Sequence, residues 1–287
     1  MLQRLSTAGR LSRVKRFFLL VLPVALLAFS VACSGTGASA GPRAEPAFGD
    51  EWTPTPEPTA TPIPPPPTPT PIPPPPTPTP PLPPRITRPA GEIVRGNTSR
   101  QEMTLTFDCG ASGVPTPAIL DALRAAGVRT TFFITGRWAE LYPDLTRLIA
   151  SEHEIANHSH THPDFATMSD AQIQGEMLRA EQTLNRIAGV NTKPLWRAPF
   201  GSRNARILNL VTDLGWPYEI LWSADSGDWL EITPQEVRNR VNRAASNGAI
   251  IVQHCGSPQS AAILPEILRD LQGKGFRLVT VTEVLAD

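Results

Sequence analysis

The stretch LTFDCG, residues 105–110, closes an apolar run with an aspartate, a cysteine and a glycine in succession. Extended back to MTLTF (103–107), it has the β-branched and aromatic content of a strand. Five more runs share that character: RTTFFIT (129–135), EIANH (154–158), LWRA (195–198), YEILWS (218–223) and AIIVQH (249–254). Helical patterns lie between them. The clearest follows Ser169, where Ser169 and Gln172 have capping-box spacing and Ile173, Met177, Ala180, Leu184 and Ile187 recur on one face. TPAILDALRAAG (116–127) and PQSAAILPEILRDLQGKG (258–275) read as two further helices, each closed by a glycine. Strand–helix alternation calls for parallel strands covered by helices, an α/β fold that is either a barrel or an open sheet.

Polar clusters fall at the C-terminal ends of these strands, the edge on which α/β folds build their sites. Asp108 ends the first strand, with Gly110 permitting close backbone approach. HSHTH (158–162) holds three histidines, and the four-residue spacing of His158 and His162 lets both imidazoles reach one metal ion. His153, standing alone, reads as structural. RAPFG (197–201) contributes Arg197, DSGDW (225–229) two carboxylates and a tryptophan, and QHC (253–255) a histidine. Each fragment alone is explained by a salt bridge or a solvated loop; the set in this order is specific.

In that order the chain resembles the polysaccharide deacetylases of the NodB-homology type, carbohydrate esterase family 4. TFDCG, HSHTH, RAPFG, DSGDW and VQH match the family's five motifs, and GKGFRLVTVTEVL (273–285) its closing segment, so that the likeness runs from Glu102 to Leu285. The resemblance implies a distorted (β/α) barrel of about seven parallel strands around a metal-containing groove. It implies that His158 and His162 bind a divalent metal, Zn before Co, Ni or Mn, which carries the attacking water and polarises the acetyl carbonyl. Asp108 would be the general base, and Arg197 would hold it ionised. His254 would be the general acid, paired with Asp228. The Phe200 backbone N–H would face the oxyanion, and Trp229 would wall the acetyl pocket. Asp225 is read as fixing its loop, and Ser159 and His160 as shaping theirs.

One position departs from the family, whose first motif carries a second aspartate as third metal ligand where this chain has Cys109. Three readings stay open. Cys109 as a thiolate would complete a Cys–His–His zinc site. A Cys109–Cys255 disulfide would suit an oxidising compartment, with the first and last strands of a closed barrel as neighbours. Two buried free thiols are the third.

By composition, much of the first third of the 287 residues is expected not to be globular. Residues 1–33 combine a basic start, an apolar run and SVAC, the pattern of an export signal with a lipobox-like end at Cys33, read as a signal peptide or a lipoprotein signal or anchor. Residues 34–84 form a linker whose Pro/Thr-rich part repeats TPIPPPPTP at Thr61 and Thr70; as polyproline II this stretch spans on the order of 90 Å. The folded domain is then 85–287, held outside the cytoplasm, tethered or secreted. A net charge of zero, with no basic run beyond the signal, argues against a nucleic-acid partner. The expected activity is removal of N-acetyl groups from a cell-wall or chitin-like glycan. The alternatives are an O-acetyl esterase, or a non-catalytic glycan binder because of Cys109.

Overall fold

A computed structural model describes residues 86–286. The expected signal segment with Cys33 and the linker lie outside the described residues. Among those described, no helix is long and apolar enough to cross a membrane.

The strands are β1 (Gly91–Ile93), β2 (Glu102–Cys109), β3 (Thr131–Ile134), β4 (Glu154–Asn157), β5 (Leu195–Trp196), β6 (Tyr218–Ile220), β7 (Ala224–Asp225), β8 (Ile250–His254) and β9 (Arg277–Leu278). The helices are α1 (Thr116–Ala125), α2 (Gly136–Leu141), α3 (Pro143–Glu152), α4 (Asp170–Ala188), α5 (Ala205–Asp213), α6 (Pro234–Ala244), α7 (Pro258–Gly273) and α8 (Val281–Leu285). The sheet order is β1-β6-β5-β4-β3-β2-β8-β7, with β9 beside β2, and the paired strands run parallel. The Ser169 capping box opens α4 as the spacing predicts, and Gly189 closes it in the left-handed conformation.

Strand β2 is buried along its whole length, and its alternation sorts the chemistry. Met103, Leu105, Phe107 and Cys109 join one core with Leu120 and Leu123 of α1 and Ile263, Leu264 and Ile267 of α7. Each such aliphatic side chain taken out of water contributes about 1.5–3 kcal/mol. Thr104, Thr106 and Asp108 face the other way. On the inner face, Ile93, Phe133, Ala156, Leu195, Ile220 and Ile250 close over Val281, Val284 and Leu285 of α8. A third cluster packs Ile173 and Met177 of α4 and Ile207 and Val211 of α5 against Trp196.

The expected distorted barrel of parallel strands forms in part, as a curled half-barrel that does not close among the described residues. Nine strands, several of two or three residues, make a curled parallel sheet whose ends, β1 and β7, do not pair. The single strand expected over 218–223 breaks after Ile220, and the chain leaves β6 to pair Ala224–Asp225 with β8 at the opposite end. Arg197 occupies that seam. Its Nε donates to the Ile220 carbonyl at 2.7 Å and its Nη2 to the Leu221 carbonyl at 3.1 Å, taking acceptors a neighbouring strand would use.

Candidate active site

Asp108 and His254 are direct neighbours across the β2–β8 ladder. Both face a cleft of about 870 Å³ at the C-terminal edge of the sheet, together with His158, His162, Phe200, Asp228 and Trp229.

Arg197 is fully buried, and its Nη1 donates to Asp108 Oδ1 at 2.6 Å and to Thr106 Oγ1 at 3.0 Å, while its guanidinium lies over the Phe133 ring. Burial alone would raise the Asp108 pKa; Arg197, His158 and His254 outweigh it and hold the carboxyl below its ordinary range. Asp108 is therefore a carboxylate at neutral pH.

His158 and His162 come from the turn after β4. Ser159 and His162 both adopt positive φ, at 65° and 63°, so HSHTH is a tight loop and not a helical turn. Asn157 Oδ1 accepts from Ser159 N–H, Ser159 Oγ accepts from His162 N–H, and Glu176 of α4 accepts from the His160 and Thr161 amides. The two site rings meet edge to face, 4.9 Å between centroids. His158 Nδ1 lies 3.0 Å from the Arg197 carbonyl, which requires a proton on that nitrogen and leaves Nε2 with a lone pair. Burial lowers its pKa to about 4, and burial also lowers that of His162, so both imidazoles are neutral. A Cβ at Gly110 would press on Thr135 Cγ2 at 3.3 Å and lie in ordinary contact with His162 Cδ2 at 3.5 Å. Ser159 and His160 shape the loop, as expected. His153 lies away from the cleft, buried at the end of α3 with Nδ1 facing Thr130 N–H.

The opposite wall inverts that chemistry. Asp228 Oδ1 accepts a hydrogen bond from His254 Nδ1–H at 2.7 Å, and its Oδ2 accepts from the His254 amide at 2.8 Å and from Ser260 Oγ at 2.6 Å. Burial would lower the His254 pKa, but the Asp228 hydrogen bond and charge, with Asp108 and Asp225, raise it above the ordinary histidine value. Asp225 fixes its loop as expected: Oδ1 accepts from Gly227 N–H and Oδ2 from Trp229 Nε1. Phe200 has φ 58° and packs edge-on against His162, 4.6 Å between centroids.

Cys109 corrects one expectation. It is bonded to Cys255, with Cα atoms 5.0 Å apart, and both cysteines sit in the helix-side core. Strand alternation turns Cys109 away from the face that bears Asp108, so it is neither a thiolate ligand nor a free thiol. Among the described residues no group of three or more His, Cys, Asp or Glu is assembled for a metal. The donors that remain are two neutral imidazoles, with Asp108 Oδ2 3.7 Å from His158 Nε2. That set fits a borderline divalent cation that takes its other ligands from solvent or substrate.

Three supporting residues carry no motif signal. Glu176 clamps the histidine loop, and Ser260, itself bonded by Gln253, orients Asp228. Glu219 is buried beneath the RAPFG turn, where Oε1 accepts from Ala198 N–H at 3.3 Å; burial pushes its pKa up to about 7.

Comparison with known proteins agrees with this geometry. A peptidoglycan-N-acetylglucosamine deacetylase of Bacillus cereus is 34% identical over 191 residues, covering 65% of this chain and 69% of that protein. The chain belongs to the polysaccharide deacetylase family. The family model for polysaccharide deacetylase matches residues 95–218. Within the family, the peptidoglycan-N-acetylmuramic acid deacetylase PdaA of Bacillus subtilis is 31% identical, covering 66% of this chain and 73% of its own length. A solved carbohydrate esterase family 4 pseudoenzyme from Bacillus anthracis superposes with a TM-score of 0.65 at 25% identity, over 68% of this chain and 69% of that one. The curled α/β architecture is therefore the family's.

Proposed function

We propose that the protein hydrolyses N-acetyl groups on a cell-wall glycan outside the cytoplasm, releasing acetate. The observation that carries this reading is the pairing of Asp108 and His254 on adjacent strands, one held anionic and the other favoured as a cation, over one cleft. Deacetylation needs those two states together. Asp108 accepts a proton from the water that attacks the acetyl carbon, and Arg197 fixes the carboxylate for that transfer. His254 gives its Nε2 proton to the amine nitrogen as the C–N bond breaks, and Asp228 stabilises the imidazolium beforehand. The Phe200 N–H is assigned to the developing oxyanion, and Trp229 to the wall beside the acetyl group. A divalent cation held by His158 and His162 would supply Lewis-acid polarisation of the carbonyl and a lower pKa for the attacking water. Zn²⁺ suits two neutral imidazoles.

A second reading has its own support. The Bacillus anthracis neighbour is a pseudoenzyme, and position 109 of this chain offers no metal ligand, so a glycan-binding role without turnover is the competing proposal. Acetate release from N-acetylglucosamine oligomers, after chelation and after return of Zn²⁺ or Co²⁺, separates the two. Restored release supports the deacetylase. Tight glycan binding with no acetate under any metal supports the binder.

A further inference from the structure

Cys109 directly follows Asp108 and Cys255 directly follows His254, so a covalent bond joins the two strands just beyond the base and the acid. Asp108 and His254 are the last register pair of the β2–β8 ladder. The Cys255 amide donates to the Asp108 carbonyl at 3.0 Å, and the disulfide closes the same junction on the opposite face of the sheet. Both cysteines are fully buried in the helix-side core and neither lines the cleft.

The two strands need that junction unequally. On its other side β2 pairs with β3 as far as Cys109, opposite Ile134, and the Cys109 carbonyl accepts from Thr135 N–H at 3.0 Å. Asp108 is held further by Arg197 at 2.6 Å. The end of β8 has no second flank of this kind. Its outer neighbour β7 pairs Ala224 with Ile251 and Asp225 with Val252, stops two residues short of His254, and is itself an end of the sheet. On that side the His254 amide and ring both rest on a loop carboxylate, Asp228. Past Cys255 the chain turns at once into α7, with Ser257 N–H donating to the His254 carbonyl. Strand ends with few ladder bonds open locally at small free-energy cost, and the disulfide falls where β8 has fewest.

Resting on the deacetylase reading, we infer that Cys109 and Cys255 are positioning residues for the acid: their bond holds the end of β8 in register with β2, so that His254 and Asp108 address the same acetamido group. The bond touches no substrate and acts through His254. Misplacing a reacting group by about 1 Å costs on the order of 10²-fold in rate. Substrate binding by the remainder of the cleft does not depend on the junction, so the loss falls in kcat and not in KM. This effect is separate from the stability gained by closing a loop of 146 residues.

The test uses the full chain with zinc restored, as wild type, Cys109→Ser/Cys255→Ser and Cys109→Val/Cys255→Val, the last keeping the core apolar. Ile267→Ala, in the same core, lowers Tm with the bond intact and is the control for lost stability. Acetate release from N-acetylated chitotetraose is followed at a temperature where circular dichroism shows the proteins folded, with zinc content measured in each. Both double variants are expected to lose about tenfold in kcat at unchanged zinc content, with KM within about twofold of wild type, while Ile267→Ala keeps the wild-type kcat. Wild-type kcat in a folded double variant, an equal loss in Ile267→Ala, or a loss that follows zinc content or appears only in KM overturns the inference and leaves the deacetylase reading standing. No acetate from the folded, zinc-restored wild type would overturn that reading and this inference with it.

Discussion

The two walls of the cleft use the same side chain for opposite ends. At the end of β4, His158 donates its Nδ1–H to a backbone carbonyl and burial lowers its pKa to about 4, so it presents a lone pair. At the end of β8, His254 donates its Nδ1–H to a carboxylate and has its pKa raised, so it presents a proton on Nε2. The partner of Nδ1 separates them: a neutral acceptor leaves a ligand, and an anionic one makes an acid. Asp108 lies between, with Oδ2 3.7 Å from His158 Nε2 and its backbone paired across the ladder with His254. The residue type alone assigns neither role.

The comparison can be broken hardest at its centre. Asp108→Asn keeps the shape and removes the shared base; acetate release is expected to fall by about 10²–10⁴-fold while circular dichroism stays unchanged. A variant with near-native turnover would remove Asp108 from the chemistry.

The cysteine pair tests whether the lone-pair wall is complete without a thiolate. The bridge spans 146 residues, and replacing both cysteines by serine should cost about 2–4 kcal/mol, lowering Tm by about 5–15 °C. Zinc content measured by mass spectrometry should not change. Loss of zinc with an unchanged Tm would restore Cys109 as a ligand.

A smaller effect is expected from Glu176→Gln. Three donors converge on that carboxylate, the His160 and Thr161 amides and Thr161 Oγ1. Loosening the loop should weaken zinc affinity by about tenfold in a chelator competition and leave the pH profile of turnover in place. A shift of that profile without loss of affinity would place Glu176 with the acid wall instead.

What the sequence disclosed, and what it withheld, follows the same division. Asp108, His158, His162, Arg197, Asp228 and His254 sit at strand ends within short motifs, so their convergence on one edge was legible from strand–helix alternation. The supporting contacts were not. Glu176 reaches the histidine loop from the second turn of α4, Ser260 reaches Asp228 from α7, and Glu219 acts from beneath a turn; each joins segments whose approach no local pattern encodes. The open seam was hidden for the same reason, since YEILWS has strand composition throughout and the break lies where the distant Arg197 takes the carbonyls of Ile220 and Leu221. Cys109 is different. Reading the strand as ending at Asp108 left the orientation of Cys109 free, whereas extending it through Cys109 places that residue and Asp108 on opposite faces.

The acid–base pairing is tested most directly by acetate release as a function of pH in the wild type and in Asp228→Asn. A histidine whose folded pKa is raised keeps its proton at neutral pH and loses it as pH climbs through that raised value, so the rate should fall on the alkaline side. Asp228→Asn removes the charge that does the raising, and the alkaline limb should move to lower pH as the plateau rate drops. A limb that stays where it is, or wild-type activity that remains flat from neutral to strongly alkaline pH, would contradict the account.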